Sequence, residues 1–159
     1  MRKILAFLFL LMVSLTGCNN CDSTEILPVT ASKFQLFDVS GNNLWWGNGA
    51  PYSADSAQVY VRQGNSVLPL TVTVTSGSGN NKYVSFTLPL SLTNTSTAVM
   101  LLNEIDSLTF DYMHSELETN CQQYYELAYI TQNGEIVCNR CGISEADGGS
   151  GEIIKIYKN

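Results

Sequence analysis

Five cysteines and one histidine hold most of the reactive chemistry in this 159-residue chain. With Cys18 set aside, Cys21, Cys121, Cys138 and Cys141 form an even set. In an exported chain, four cysteines read as two disulfides with three connectivities. Asn133-Gly134 supplies positive φ at both central positions of a type I′ hairpin turn. That turn sets Thr131 against Ile136 and Cys138 against Tyr129. Cys121 lies eight residues before Tyr129, about 26 Å along a straight strand at roughly 3.3 Å per residue. A disulfide needs Cα atoms within about 7 Å. A Cys121–Cys138 bridge therefore requires the chain to fold back before Gln123. The expected pairing is Cys21 with Cys121, fastening a tether to the domain, and a local Cys138–Cys141 bridge.

The same residues allow two sharper chemistries. Cys138-x-x-Cys141 has the spacing of a redox centre, which needs a following helix N-terminus to lower the thiol pKa. Gly142 to Gly149 offers at most one turn. His114 with Cys121, Cys138 and Cys141 would be a legitimate Cys₃His zinc set. Its spacing fits no zinc motif, however, and an oxidising compartment works against free thiolates. A metal or thiol-redox protein using Cys138 and Cys141 is the alternative reading, and neither metal nor cofactor is expected. His114, among Ser115, Glu116 and Glu118, reads as a loop residue. No nucleophile–histidine–acid triad and no pair of carboxylates in a described frame appear, so no catalytic residues and no enzyme are expected.

Cys18 belongs to a different chemistry. Arg2 and Lys3 precede an unbroken apolar run, Ile4 to Val13. The run suits a signal-peptide core and is too short to span a bilayer. Leu15-Thr16-Gly17-Cys18 resembles a bacterial lipobox. Such a site implies diacylglycerol on the Cys18 thiol, cleavage before it and a further acyl chain, such as palmitate, on the new amino group. Two or more chains hold a protein on a membrane stably, whereas one holds it marginally. By resemblance to other lipoproteins, Asn19 in place of Asp favours the outer membrane over the inner one. The expected organisation is a signal peptide over 1–17, a lipidated tether over 18–31 and one domain over 32–159, anchored in a bacterial cell envelope.

Cleavage removes Arg2 and Lys3, leaving six basic side chains against fourteen acidic ones, a net charge of −8. Nucleic acid is a poor partner for such a chain, because Lys and Arg supply that affinity by releasing counterions. No basic patch supplements the lipid at the membrane.

These residues must be positioned by strands. Thr, Ser, Asn, Gly, Val and Tyr dominate, and no apolar period supports a helix of three turns. Strands are predicted over Lys33–Val39, Ala57–Arg62, Ser66–Thr75, Lys82–Leu90, Asp106–Tyr112 and Glu152–Tyr157, with a hairpin over Gln123–Cys138. Val84, Phe86, Leu88 and Leu90 should share an inward face, as should Leu108, Phe110 and Tyr112. So should Tyr125, Leu127 and Tyr129. Ser91 to Thr97 reads as a polar connection. The whole predicts an all-β, two-sheet antiparallel sandwich of immunoglobulin-like or transthyretin-like outline.

Trp45-Trp46 lies between Asn42-Asn43 and Gly47-Asn48-Gly49. Two indoles beside a loop could stack on a sugar ring. On a strand, adjacent residues face opposite ways, leaving one in the core and one at an edge. This pair and the sheet edges are the candidate contacts for a glycan or another envelope protein. The acidic glycine loop Asp147 to Glu152 is too poor in oxygen ligands for calcium and reads as a solvated turn.

With strands placed, the chain resembles a group of small uncharacterised lipoproteins from Bacteroidota. The likeness rests on Cys21 and Pro28 after the lipobox, the Phe34-to-Asp38 strand and Leu108-Thr109-Phe110-Asp111-Tyr112 followed by Cys121. Ile154-Lys155-Ile156-Tyr157 also carries it. The resemblance implies a compartment and a sandwich, and no activity. The Cys138/Cys141 pair is outside the shared pattern. Asp22-Ser23-Thr24, Asp55-Ser56-Ala57 and Asp106-Ser107-Leu108 resemble the O-glycosylation acceptors of that phylum, which makes Ser23, Ser56 and Ser107 candidates for modification.

Overall fold

The computed structural model describes residues 25–77, 82–119, 122–143, 149 and 152–158. It is all-β, with one short 3-10 turn at Ala54–Ser56. Eleven strands are described: β1 (Glu25–Ile26), β2 (Ser32–Asp38), β3 (Gln58–Gln63), β4 (Ser66–Leu70), β5 (Thr73–Ser76) and β6 (Lys82–Phe86), followed by β7 (Ser96–Leu101), β8 (Ser107–Thr119), β9 (Gln122–Gln132), β10 (Glu135–Cys141) and β11 (Ile153–Lys158). One sheet has seven strands in the order β1-β9-β8-β7-β3-β4, with β10 also on β9. The other has four, in the order β11-β2-β6-β5. The expected signal peptide and tether residues Cys18, Cys21 and Ser23, and also Cys121, lie outside the described residues.

The sheets share one core in a sandwich-like arrangement. Phe34 stacks on Phe86 within the smaller sheet, centroids 4.3 Å apart, and meets Phe110 of the larger sheet at 5.9 Å. Val59, Val61, Met100 and Tyr112 pack with them from the larger sheet, Leu36, Val84 and Ile156 from the smaller. Each is an alternate residue of its strand, so the period of two that marks a half-buried strand also selects the core.

Several expectations are corrected. The sheets are mixed: β11 runs parallel to β2 and β1 parallel to β9. The connections between these partners span most of the domain, so no hairpin sets their relative direction. The expected strand Ser66–Thr75 is two strands: β4 pairs with β3, whereas β5 pairs with β6 in the other sheet. The chain changes sheets at Thr71-Val72, and local alternation is blind to such a transfer. The expected connection Ser91–Thr97 ends inside β7, a strand that was not predicted and whose Ala98 and Met100 are fully buried. Leu90 does not follow Leu88 inward and is 42% exposed, because β6 has ended at Phe86.

Asn133 and Gly134 do turn the β9–β10 hairpin with positive φ, 53° and 81°. Thr131 faces Ile136, but Cys138 faces Ile130 rather than Tyr129, because Val137 bulges out of register. A second irregularity sets His114 opposite Leu127 and Met113 opposite Tyr129, leaving Ala128 extra. The inward residues of β9 therefore change phase: Leu127 and Ile130 are buried, while Tyr129 lies on the other face with its hydroxyl against Met113 Sδ.

Candidate functional site

His114 is built into β8 rather than a loop. It continues the inward row Leu108, Phe110, Tyr112 and is 3% exposed. Its backbone N–H donates to Ser91 O at 2.7 Å. Its Nδ1 accepts from Ser91 N–H at 3.3 Å. Its ring stands edge-on to Tyr112, 5.6 Å between centroids and perpendicular. An Nδ1 that accepts leaves the proton on Nε2. Burial holds the imidazole below its ordinary pKa, so the ring is neutral.

Beside this ring is a cavity of about 310 Å³. Leu27, Pro28 and Val29 form one wall, and β9 contributes Tyr124, Tyr125 and Leu127. Cys141 and Ile143 close the β10 end. The first wall belongs to the predicted tether, which joins the domain earlier than residue 32: β1 pairs with Gln122 and Gln123, and Leu27 N–H donates to Gln123 O at 2.8 Å. The charged groups on the rim are engaged, Lys33 with Glu152 at 3.7 Å and Glu126 with Arg140 at 3.2 Å.

Cys138 and Cys141 are disulfide-bonded, with Cα atoms 5.5 Å apart, and both are buried. Residues three apart on a flat strand would point to opposite faces. Arg140 has a φ of 48° and turns the chain, so both sulfurs lie inside. Joined to each other, these two sulfurs are not available thiolates. Among the described residues, no group of three His, Cys, Asp or Glu side chains is disposed to hold a metal.

The Trp45/Trp46 pair is not an open platform. Asn43 Oδ1 accepts from both indole residues' backbone N–H groups at 2.9 Å, and that turn drives Trp45 into the core. Trp45 is 4% exposed, its Nε1 sealed without a partner among the described residues. It is therefore withdrawn as a ligand contact. Trp46 packs edge-on against it and stays half-buried, so one indole edge is what this loop presents.

Ser56 is exposed at the end of the 3-10 turn. Ser107 is exposed but tied into β8 opposite Leu101. Its neighbour Asp106 accepts from the Tyr52 hydroxyl and meets Lys158 Nζ at 2.8 Å. Those bonds hold the Asp106 carboxyl below the usual range, the Lys158 bond foremost.

Two edge strands, β4 and β11, are guarded. β4 carries Pro69, which cannot donate to an added strand. The Gln132 side chain engages both the N–H and the carbonyl of Tyr157 in β11.

Sequence reasoning missed the burial of His114, and the signal was present: extending the Leu108-to-Tyr112 alternation by one step reaches it. The chain matches no protein-family model, no curated protein and no solved structure. Among the described residues, no helix is long and apolar enough to cross a membrane.

Proposed function

We propose that this protein is a lipid-anchored module of a bacterial cell envelope that works by binding rather than by catalysis. Acylated Cys18 holds it at the outer membrane, and its two sheets form a sandwich of immunoglobulin-like or transthyretin-like outline. The observation that carries the anchor is the apolar run Ile4 to Val13 followed by Leu15-Thr16-Gly17-Cys18. The binding reading is supported by a mostly apolar cavity that the buried His114 lines, with charged side chains at its rim, a composition common in ligand sites. The half-buried edge of Trp46 is the contact proposed for an envelope glycan or protein partner.

The test is the intact mass of protein purified from membranes without reductant, with a thiol count on the same sample. The expected species lacks residues 1–17, carries diacylglycerol and an added acyl chain, and has no free thiols. An unprocessed and unlipidated chain would overturn the anchor. Reactive thiols at Cys138 and Cys141, or bound zinc, would move the reading to thiol or metal chemistry.

A further inference from the structure

We propose that the His114 cavity is a binding site for a small, uncharged, apolar carbonyl compound, held by a hydrogen bond from His114 Nε2–H. The inference rests on the binding reading above and names the ligand chemistry for it.

Ser91 N–H occupies Nδ1, so the ring's remaining proton is on Nε2. Nε2 has no hydrogen-bond partner among the described residues. A donor both unpaired and sealed from water would cost about 1–3 kcal/mol. Nor is Nε2 sealed in: Trp45 Nε1 is the unpaired side-chain polar atom that is fully enclosed among the described residues. His114, 97% removed from solvent by the fold, therefore keeps an open side, and the open space it lines is the cavity.

That donor selects its ligand. A neutral imidazole N–H asks for an acceptor, and a carbonyl oxygen supplies one without a proton to place. The walls formed by Leu27, Pro28, Val29 and Leu127 favour an apolar body. A charged ligand would lose hydration and find no free counter-charge, since the nearby Lys33, Glu152, Glu126 and Arg140 are in ion pairs. The ring is held before any ligand arrives by the Ser91 N–H on Nδ1 and by the edge of Tyr112, on a backbone that His114 N–H ties to Ser91 O. Little ordering cost then remains at binding.

His114 is the single histidine of the chain, so its imidazole gives an unambiguous spectroscopic signal. The experiment uses the full, processed protein in phospholipid nanodiscs, since detergent tails would compete for the cavity. The protein is labelled with ¹⁵N in the histidine ring. Acetophenone and ethylbenzene, similar in shape but with and without the oxygen, are titrated separately. Acetophenone should move the Nε2 resonance saturably and bind about tenfold more tightly than ethylbenzene, the scale of one buried hydrogen bond. His114→Phe, in which binding is read from each probe's own proton resonances, should abolish that preference. Val29→Trp lies outside the strands and should fill the cavity, blocking both probes while leaving the Nε2 signal of a folded protein.

No saturable Nε2 shift with acetophenone would overturn the proposal. So would equal binding of the two probes, a preference that survives His114→Phe, or undiminished binding in Val29→Trp. If His114→Phe does not fold, the Val29→Trp titration decides. Failure here removes the cavity and leaves the anchor, which is read by mass, untouched.

Discussion

Tyr112 and His114 stand two residues apart on the same face of β8, and the space each meets is different. Tyr112 is fully buried and donates its hydroxyl to Pro89 O at 3.1 Å. Around it Phe34, Phe86 and Phe110 fill the volume between the sheets. His114 is nearly as buried, yet it lines an open cavity together with residues 27–29. The first region is held by close packing, with its polar tip satisfied. The second is held by a disulfide, two bonds to Ser91 and the strand-like entry of β1, and it leaves a donor unused. A fold can thus bury two ring side chains in one row and make one a structural filler and the other a receptor.

The contrast can be broken at its strongest point first. Phe34→Ala should cost about 3–5 kcal/mol in urea unfolding, because a packed core cannot close over a lost ring. Leu27→Ala, on the cavity wall, should cost under about 1 kcal/mol, since the space beside it is already open. Equal costs would mean that the two regions are packed alike.

Breaking the Cys138–Cys141 bond with paired Cys→Ala substitutions comes next. Four residues close the loop, so the chain-entropy loss is about 2 kcal/mol. Calorimetry checks the stability. The contrast sharpens if acetophenone affinity falls as well, because Cys141 is a cavity wall.

Tyr112→Phe removes one hydrogen bond and leaves Pro89 O unpaired, at a cost of about 1 kcal/mol. The ring packing should be retained, so the urea m-value should not change.

The smallest effect is the pH dependence due to His114. Burial lowers its folded pKa from 6.5. Below that pH the unfolded chain takes up a proton that the folded one refuses, so stability falls as pH drops. The loss starts at the ordinary histidine value and ends below the folded one. Asp38 and Asp106 also have lowered values, but they withdraw stability only as pH falls from 3.8 toward their folded pKa values. Thermal melts between pH 7 and 5, a range chosen to sit around the ordinary histidine value near 6.5, should show a slope in the native protein. Replacing the imidazole in His114→Phe should flatten it. A slope that persists would place its source elsewhere.

Some of this is legible in the amino-acid sequence. Leu108, Phe110 and Tyr112 declare their face by alternation, and burial agrees. Asn133-Gly134 declares its turn, because positive φ at two successive positions is a local demand. The proximity of Cys138 and Cys141 also follows from short spacing, since three residues cannot separate them far. The Trp45/Trp46 pair was legible only as an alternative between core and surface. Asn43 resolved it by binding both backbone N–H groups.

By itself, then, the amino-acid sequence determined the all-β class, the inward row of Leu108, Phe110 and Tyr112 and the hairpin turn, because each depends on residues within a few positions of one another. Tertiary structure alone decided that Ser66 to Ser76 divides between two sheets, that β11 joins β2 in parallel, and that bulges at Val137 and Ala128 shift which side chains face inward. It also decided that His114 meets a cavity, whose wall comes from residues more than eighty positions away. Those outcomes depend on partners brought together by folding, and a strand's own period of two cannot say which partner it will meet or where the packing between them will stop.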